Sequence, residues 1–212
     1  KLLQEQEIVD SMESALAQGQ FEIYLQPKYR LKDNRMSGAE ALVRWNHPEW
    51  GMQSPAYFIP LFEKNGFISQ VDYCLFIQVC RKLREWQDEG GSPVCISLNL
   101  SSVDIQMDHI LSDIMEGTRE YGIDHRFLEF ELTETAFLKD TERTFHVMKE
   151  LRDSGFTTSI DDFGSGYSIM NMMADIPSDP NFERFGSSEY TIAMVDEVSE
   201  ISERAVEVLF SR

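Results

Sequence analysis

Acidic and amide side chains recur where successive strands of this chain are predicted to end. Glu40 lies in the segment AEALVRW, Asn99 in SLNLS, Glu131 in EFELTET, and the adjacent Asp161 and Asp162 in SIDDFGSGYS. Because the carboxyl ends of parallel strands meet at one rim, we expect these side chains to converge. Hard oxygen ligands suit Mg²⁺ or Mn²⁺, and a pair of such ions activates water against a phosphodiester. The residues therefore predict phosphoryl chemistry.

Each of these carboxylates also has a simpler interpretation. A single glutamate at a strand end can pair with a nearby basic side chain and have no role in metal binding. Agreement among four strand ends favours the metal, because uncompensated carboxylates this close together repel one another and cations relieve that repulsion.

The apolar pattern predicts the elements that carry these side chains. The strands FEIYLQPKY and SGAEALVRW are joined too closely for a crossover helix, so they should be antiparallel neighbours. After Trp45, helices alternate with the apolar strands VCISLNL, FLEFEL and TTSIDDF, which is typical of a parallel sheet covered by helices. The fold class is therefore α/β. The predicted helices are residues 2–18, 69–89, 108–121 and 140–154.

Charge and composition exclude several classes of protein. The 212 residues include 19 Lys and Arg against 37 Asp and Glu, a formal net charge of −18. Such a chain repels polyanions, so we expect no DNA or RNA partner. No apolar run is long enough to insert into a membrane, and the first residues do not form a signal peptide. We expect a cytoplasmic protein, or the cytoplasmic part of a larger membrane-anchored one.

The cysteines and histidines do not predict a further site. Three cysteines lie in apolar stretches, which indicates buried free thiols in a reducing compartment. The histidines show no zinc-ligand spacing with one another or with the cysteines, so surface or structural roles are favoured. These residues are Cys74, Cys80, Cys95, His47, His109, His125 and His146.

Several segments, in order, resemble the EAL family of bacterial cyclic-di-GMP phosphodiesterases. They are YLQPKY, GAEALVRWNHPEWG, SPAYFIPLFEKNGFI, SLNLSS, EFELTET and DDFGSGYS, within residues 21–179. The resemblance implies a modified TIM-type (β/α)₈ barrel with an antiparallel first strand. It also implies two-metal hydrolysis of cyclic-di-GMP to pGpG with Mg²⁺ or Mn²⁺, a bacterial signalling role and a homodimer.

The resemblance also implies roles for individual residues. Glu40, Asn99, Glu131 and Asp161 would hold one metal ion, with Asp161 and Asp162 serving the second. Gln26 and Arg44 match positions that hold a guanine edge and a phosphate, and Leu42 belongs to the same pocket wall. A guanidinium forks well onto phosphate oxygens, although Arg44 could instead pair with a neighbouring carboxylate.

A glycine-rich loop follows the paired aspartates. In the family this loop shapes the dimer contact and couples it to metal binding, and Glu134 matches the glutamate that steadies it. The alternative is a strand-to-helix turn with no regulatory role. The loop comprises Phe163, Gly164, Ser165, Gly166, Tyr167 and Ser168.

Beyond Asp179 the resemblance fails. Phe182 and Arg184 stand about where the family has a catalytic lysine and a metal-binding aspartate, and neither can substitute. A closed barrel typically needs about 250 residues, so the barrel is expected to be incomplete after strand five or six. Chain is therefore expected to be missing or rearranged at the junction between Asp179 and Pro180.

The last residues resemble another domain. The segment RFGSSEY, residues 184–190, is similar to the RFGGDEF hairpin of diguanylate cyclase (GGDEF) domains, but only Glu189 keeps its type among the functional positions. The predicted organisation is a linker helix at 1–18, an EAL-type domain at 19–179 and a degenerate GGDEF-like tail at 180–212. Two functions stay open: a phosphodiesterase from a tandem GGDEF-EAL protein, inactive if this chain is complete, or a non-catalytic module that binds cyclic-di-GMP or a protein.

Overall fold

The computed structural model describes residues 2–161, except for the side chains of residues 2–4, 134 and 135. The chain divides into two compact units, Lys1–Ile160 and Asp161–Arg212. The predicted tail at 180–212 and the junction at 179–180 lie outside the described residues.

Helices and strands alternate through most of the described chain. The helices are α1 (Leu2–Ala17), α2 (Pro55–Asn65), α3 (Ile68–Asp88), α4 (Ser102–Gln106), α5 (Ile110–Tyr121), α6 (Glu134–Lys139) and α7 (Thr141–Asp153), with a 3₁₀ turn at His125–Phe127. The strands are β1 (Phe21–Arg30), β2 (Arg35–His47), β3 (Gly51–Gln53), β4 (Cys95–Leu100), β5 (Leu128–Thr133) and β6 (Thr157–Asp161).

These strands form one sheet in the order β1-β2-β4-β5-β6, with β3 paired to β2. The predicted antiparallel pairing of β1 with β2 is confirmed, and β2, β4 and β5 run parallel to one another. The four predicted helices are present as α1, α3, α5 and α7, each within about two residues of its predicted ends. The α/β class and the antiparallel first strand are therefore confirmed.

Helix α2 is an element that periodicity did not predict. Its start carries recognisable signals: Ser54 has extended backbone angles at the N-cap, and Pro55 occupies the first helical position, where its missing N–H costs nothing. At the other end Gly66 adopts φ 82°, a left-handed conformation that suits glycine. Pro60 inside the helix weakened the helical pattern in the sequence.

The helices pack onto the sheet through a buried aromatic cluster. Phe21 and Trp45 come from β1 and β2, and Phe58 and Phe62 come from α2. Their ring centroids lie 5.2 to 6.0 Å apart, a separation at which aromatic pairs attract one another. Helix α1 covers the same cluster with its own buried residues, so it is a packing element of this unit.

The cysteines are free thiols, as predicted, but only Cys80 is buried; Cys74 and Cys95 are partly exposed. Among the residues that the structure describes, no helix combines the length and apolar character needed to cross a membrane.

Candidate functional site

Polar side chains from four strands occupy one face of the sheet. In the register, Gln26 on β1 lies opposite Glu40 on β2, Glu40 opposite Ser97 on β4, and Ser97 opposite Glu129 on β5. Residues directly opposite one another on neighbouring strands point to the same side of a sheet. The pairing therefore assembles a polar row across four strands.

Asn99 and Glu131 form a second pair on this face, two residues further along β4 and β5. The amide Nδ2 of Asn99 donates to Oε1 of Glu40 at 2.9 Å. Glu40 lies in the middle of β2 rather than at its end, because β2 continues in antiparallel pairing to His47 after its parallel pairing with β4 stops at Ala41. Glu40 is thus near the end of the parallel part of its strand.

Glu131 is fully buried, and its two oxygens differ. Oε1 accepts a hydrogen bond and ion pair from Nζ of Lys28, whose side chain is 26% exposed. Oε2 is buried without a hydrogen-bond partner among the described residues. A buried carboxylate oxygen without a partner is costly, and such an oxygen commonly marks a missing ion or water. The arrangement leaves one oxygen of Glu131 available to a cation.

Lys28 belongs to a short chain of hydrogen bonds on the same face of the sheet. Its Nζ also donates to Oγ of Ser97 at 2.8 Å, and that hydroxyl donates to Oε2 of Glu129 at 2.8 Å. Strands β2 and β4 approach closely here, since a Cβ on Gly38 would lie 2.7 Å from the carbonyl oxygen of Cys95. Glycine is therefore required opposite Lys28 in the register.

Burial and charge act on the pKa values of Glu131 and Lys28. Burial raises the pKa of Glu131 above its ordinary value, and the hydrogen bond and charge of Lys28 oppose that rise without cancelling it. Burial lowers the pKa of Lys28, but the hydrogen bond to Glu131 and the negative charges of Glu131, Glu129 and Glu40 outweigh it, so the net shift is upward. Lys28 is firmly cationic at neutral pH.

The predicted substrate residues lie along the same two first strands. Gln26 is exposed, whereas Leu42 and Arg44 are partly buried. Arg44 donates from Nη1 to the carbonyl oxygen of Val43 at 2.7 Å, and its guanidinium carbon lies 5.8 Å from the ring centroid of Tyr24. Within the described chain no carboxylate lies within ion-pair distance of Arg44, so the alternative carboxylate partner is not seen there.

The remaining predicted residues are placed only in part. Asp161 is the last residue of β6, partly buried, and belongs to the second unit. Glu134 begins α6, after Thr133, whose hydroxyl caps the helix by accepting from the N–H of Ala136. Asp162, the loop of residues 163–168, and Phe182, Arg184 and Glu189 lie outside the described residues.

The donor chemistry fits a divalent cation, although the described residues do not complete a site. Among residues 5–133 and 136–161, whose side chains the structure describes, no group of three His, Cys, Asp or Glu side chains is close enough to hold a metal ion. The fit rests on the hard oxygen donors of Glu40, Asn99 and Glu131 and on the unpartnered Oε2 of Glu131. Of the other predicted ligands, Asp161 belongs to the second unit and Asp162 is not described.

Three members of this polar face were not singled out from the sequence: Lys28, Ser97 and Glu129. A signal for Lys28 was present, because it lies two residues after Gln26 in a strand, and side chains two apart share a face. Ser97 and Glu129 likewise lie two residues before Asn99 and Glu131.

A second acidic group lies between α3 and α4. The carboxyl of Asp72 is hydrogen-bonded to that of Asp104, and burial together with the charge of Asp104 raises the pKa of Asp72 well above its ordinary value. Asp104 in turn accepts from the N–H and Oγ of Ser101, at 2.7 and 2.6 Å. This pair borders a cavity of about 180 Å³ whose wall includes Phe76 and Leu98.

Two curated proteins illustrate what the chain is similar to. Cyclic di-GMP phosphodiesterase NbdA of Pseudomonas aeruginosa is 33% identical over 176 residues, covering 83% of this chain and 22% of that protein. The bifunctional diguanylate cyclase/cyclic di-GMP phosphodiesterase MucR of the same organism is 31% identical over 172 residues, covering 81% of this chain and 25% of MucR. The chain thus spans a minor part of the length of each relative.

Solved structures and a family model agree with this similarity. The PaMucR phosphodiesterase in complex with c-di-GMP has a TM-score of 0.73 and 29% identity, covering 86% of this chain and 76% of that one. The FimX EAL domain from Pseudomonas aeruginosa bound to c-di-GMP has a TM-score of 0.71 at 17% identity, covering 81% and 69%, which supports the fold alone. The model described as EAL domain matches residues 9–180. The chain therefore belongs to the EAL domain family.

Proposed function

We propose that this chain is an EAL-type domain that binds cyclic-di-GMP and hydrolyses one of its phosphodiester bonds to give pGpG. The observation that carries the proposal is the polar sheet face on which Glu40, Asn99 and the free Oε2 of Glu131 lie. The phosphodiesterase relatives and the solved complex with c-di-GMP support the choice of substrate.

Some residues of this face would bind the metal and others would bind the substrate. Glu40, Asn99, Glu131, Asp161 and Asp162 would hold Mg²⁺ or Mn²⁺, which when bound supplies the activation of water and the neutralisation of phosphate charge.

Arg44, on the same strand as Glu40, would orient the phosphate. Its guanidinium lies over the Tyr24 ring. Gln26, exposed on β1, would contact a guanine edge, and Leu42 would form the adjoining wall.

The wider organisation is part of the same proposal. We infer an EAL-type domain at 19–179 that belongs to a tandem GGDEF-EAL signalling protein acting in the cytoplasm, with the tail at 180–212 as a degenerate GGDEF fragment. A relative named as bifunctional supports the tandem arrangement. A homodimer would form through the loop of residues 163–168, steadied by Glu134.

The direct test is turnover of cyclic-di-GMP with Mg²⁺ or Mn²⁺, followed by chromatography of pGpG. Glu40→Ala should abolish metal-dependent turnover, whereas Glu49→Ala, in the exposed turn after β2, should leave it unchanged. Equal turnover in the Glu40→Ala variant would overturn the proposed site. A mass of the purified polypeptide above that of the 212 residues would show that chain is missing from this sequence, as expected at the junction between residues 179 and 180.

A second candidate is a non-catalytic module that binds cyclic-di-GMP. The presence of Phe182 and Arg184 at the positions of the family's lysine and aspartate favours it. Calorimetric titration separates the two functions: saturable binding of cyclic-di-GMP without release of pGpG would establish the module and exclude the enzyme.

A further inference from the structure

We propose that Lys28 is a built-in cation of this site, which holds Glu131 by one oxygen, leaves the other oxygen for a divalent ion, and lowers the affinity of that ion. The inference rests on the proposed function only in taking Glu131 as a metal ligand. It assigns Lys28 as a positioning residue, because it acts through Glu131.

The contacts of Lys28 place its charge beside Glu131, one of the predicted metal ligands. Its ammonium group bonds to Oε1 of Glu131 and to Oγ of Ser97. Glu129 receives the hydroxyl hydrogen of Ser97, and the charges of Glu129 and Glu40 also act on Lys28. Three carboxylates on two strands, β2 and β5, thus share one fixed positive charge.

This arrangement selects which oxygen of Glu131 is free. With Oε1 engaged, the carboxylate is held in one orientation and the buried Oε2 is left without a partner. A cation that binds Glu131 would therefore meet Oε2, while the lysine keeps the other oxygen. Second-layer contacts of this kind commonly orient metal-binding carboxylates.

The same charge opposes the ion. An ammonium bonded to one oxygen of a carboxylate lies a few ångströms from any cation bound to the other, and burial leaves that repulsion weakly screened. Lys28 also compensates the charge of Glu131 when no ion is bound. The favourable free energy of binding a divalent ion is therefore smaller. Removing the charge should increase affinity for the ion, whereas a purely structural lysine would lower affinity when removed.

Mn²⁺ titration of the whole chain at pH 7.5, read by the electron paramagnetic resonance of free Mn²⁺, tests this difference. Lys28→Met should tighten Mn²⁺ binding by about tenfold or more. Lys28→Gln, which keeps a hydrogen-bond donor but no charge, should also tighten it. Lys32→Met, which removes the same charge from the exposed turn between β1 and β2, should leave the dissociation constant within about twofold.

Unchanged or weaker Mn²⁺ binding in both Lys28 variants would overturn the proposal. If Lys28→Met does not fold without metal, Lys28→Gln carries the test. If the Lys28 variants bind Mn²⁺ more tightly but the unmodified chain releases no pGpG, the role of Lys28 is supported and the proposed phosphodiesterase activity is excluded. If the unmodified chain releases pGpG but the variants bind Mn²⁺ with unaltered affinity, the phosphodiesterase activity is supported and the role of Lys28 is excluded.

Discussion

Two carboxyl groups in this chain have opposite kinds of partner. Glu131, fully buried on β5, is compensated by the ammonium group of Lys28 from β1. Asp72, on α3, is hydrogen-bonded to another carboxyl, that of Asp104. The groups with the largest effects on the pKa of Asp72 are Asp104, Glu63 and Ser101, none of which is a cation.

The difference favours Glu131 over Asp72 as a ligand for a cation. The fixed positive charge of Lys28 opposes the rise that burial causes in the pKa of Glu131, and Oε2 is left without a hydrogen-bond partner among the described residues. Two carboxyls without a cation share a proton instead, because two like charges in contact cannot both be stable. Similar residue types thus predict a cation site in one place and a proton-holding contact between two helices in the other.

Removing the charge of Lys28 should have the largest effect on stability. Lys28→Met leaves Glu131 buried without compensation, so the free energy of unfolding in metal-free buffer should fall by about 3 kcal/mol. Urea denaturation at pH 7.5 measures the change. Adding Glu131→Gln to this variant should restore most of the loss, since the double variant buries no charge. A loss below about 1 kcal/mol would show that Glu131 is not dependent on Lys28.

Removing the shared proton should have the next largest effect. The raised pKa of Asp72 means that the folded chain holds a proton that the unfolded chain releases above about pH 4. Stability from this group is therefore lost as pH rises from that value. Asp72→Asn should raise the free energy of unfolding at pH 7.5 and flatten its decline between pH 4.5 and 7.5.

A matched acid on the same helix provides the control. Asp88 lies at the end of α3, exposed and paired with Arg84, and its pKa is lowered by that partner. Asp88→Asn should keep the wild-type decline between pH 4.5 and 7.5. If Asp72→Asn also kept the decline, the proton would not be held by this pair.

The sequence predicted the elements of the fold better than their detailed contacts. Strand alternation and one short connection were enough for the antiparallel β1-β2 pair, because a crossover helix needs more residues than that connection holds. The predicted ligands Glu40, Asn99 and Glu131 were expected to converge from separate strand ends, and the strand register places them on one face.

The compensating partners were harder to predict. Lys28 lies about a hundred residues from Glu131, so their meeting depends on strand order and register, which local patterns do not specify. The pairing of Asp72 with Asp104 depends on how two helices pack, and an acid on a helix is ordinarily exposed.

Ser101 offers a smaller perturbation of the proton-sharing pair. Its Oγ caps α4 by accepting from the N–H of Asp104 at 3.1 Å and donates to Oδ2 of the same residue at 2.6 Å. Ser101→Ala should lower the free energy of unfolding by about 1 kcal/mol through loss of the cap. Thermal unfolding checks this value. Ser102→Ala, one position later, removes only a hydroxyl that accepts from Lys139 at 3.2 Å and should change stability less.

The smallest effect should come from the same substitution made on an exposed pair. Lys82 lies 3.0 Å from Oε2 of Glu85, and both side chains are nearly half exposed. Because water already solvates both charges, Lys82→Met should change the free energy of unfolding by less than about 0.5 kcal/mol. Urea denaturation beside Lys28→Met compares one chemical change in two settings. Equal losses would mean that the missing lysine side chain, rather than the burial of Glu131, accounts for the large effect at the sheet face.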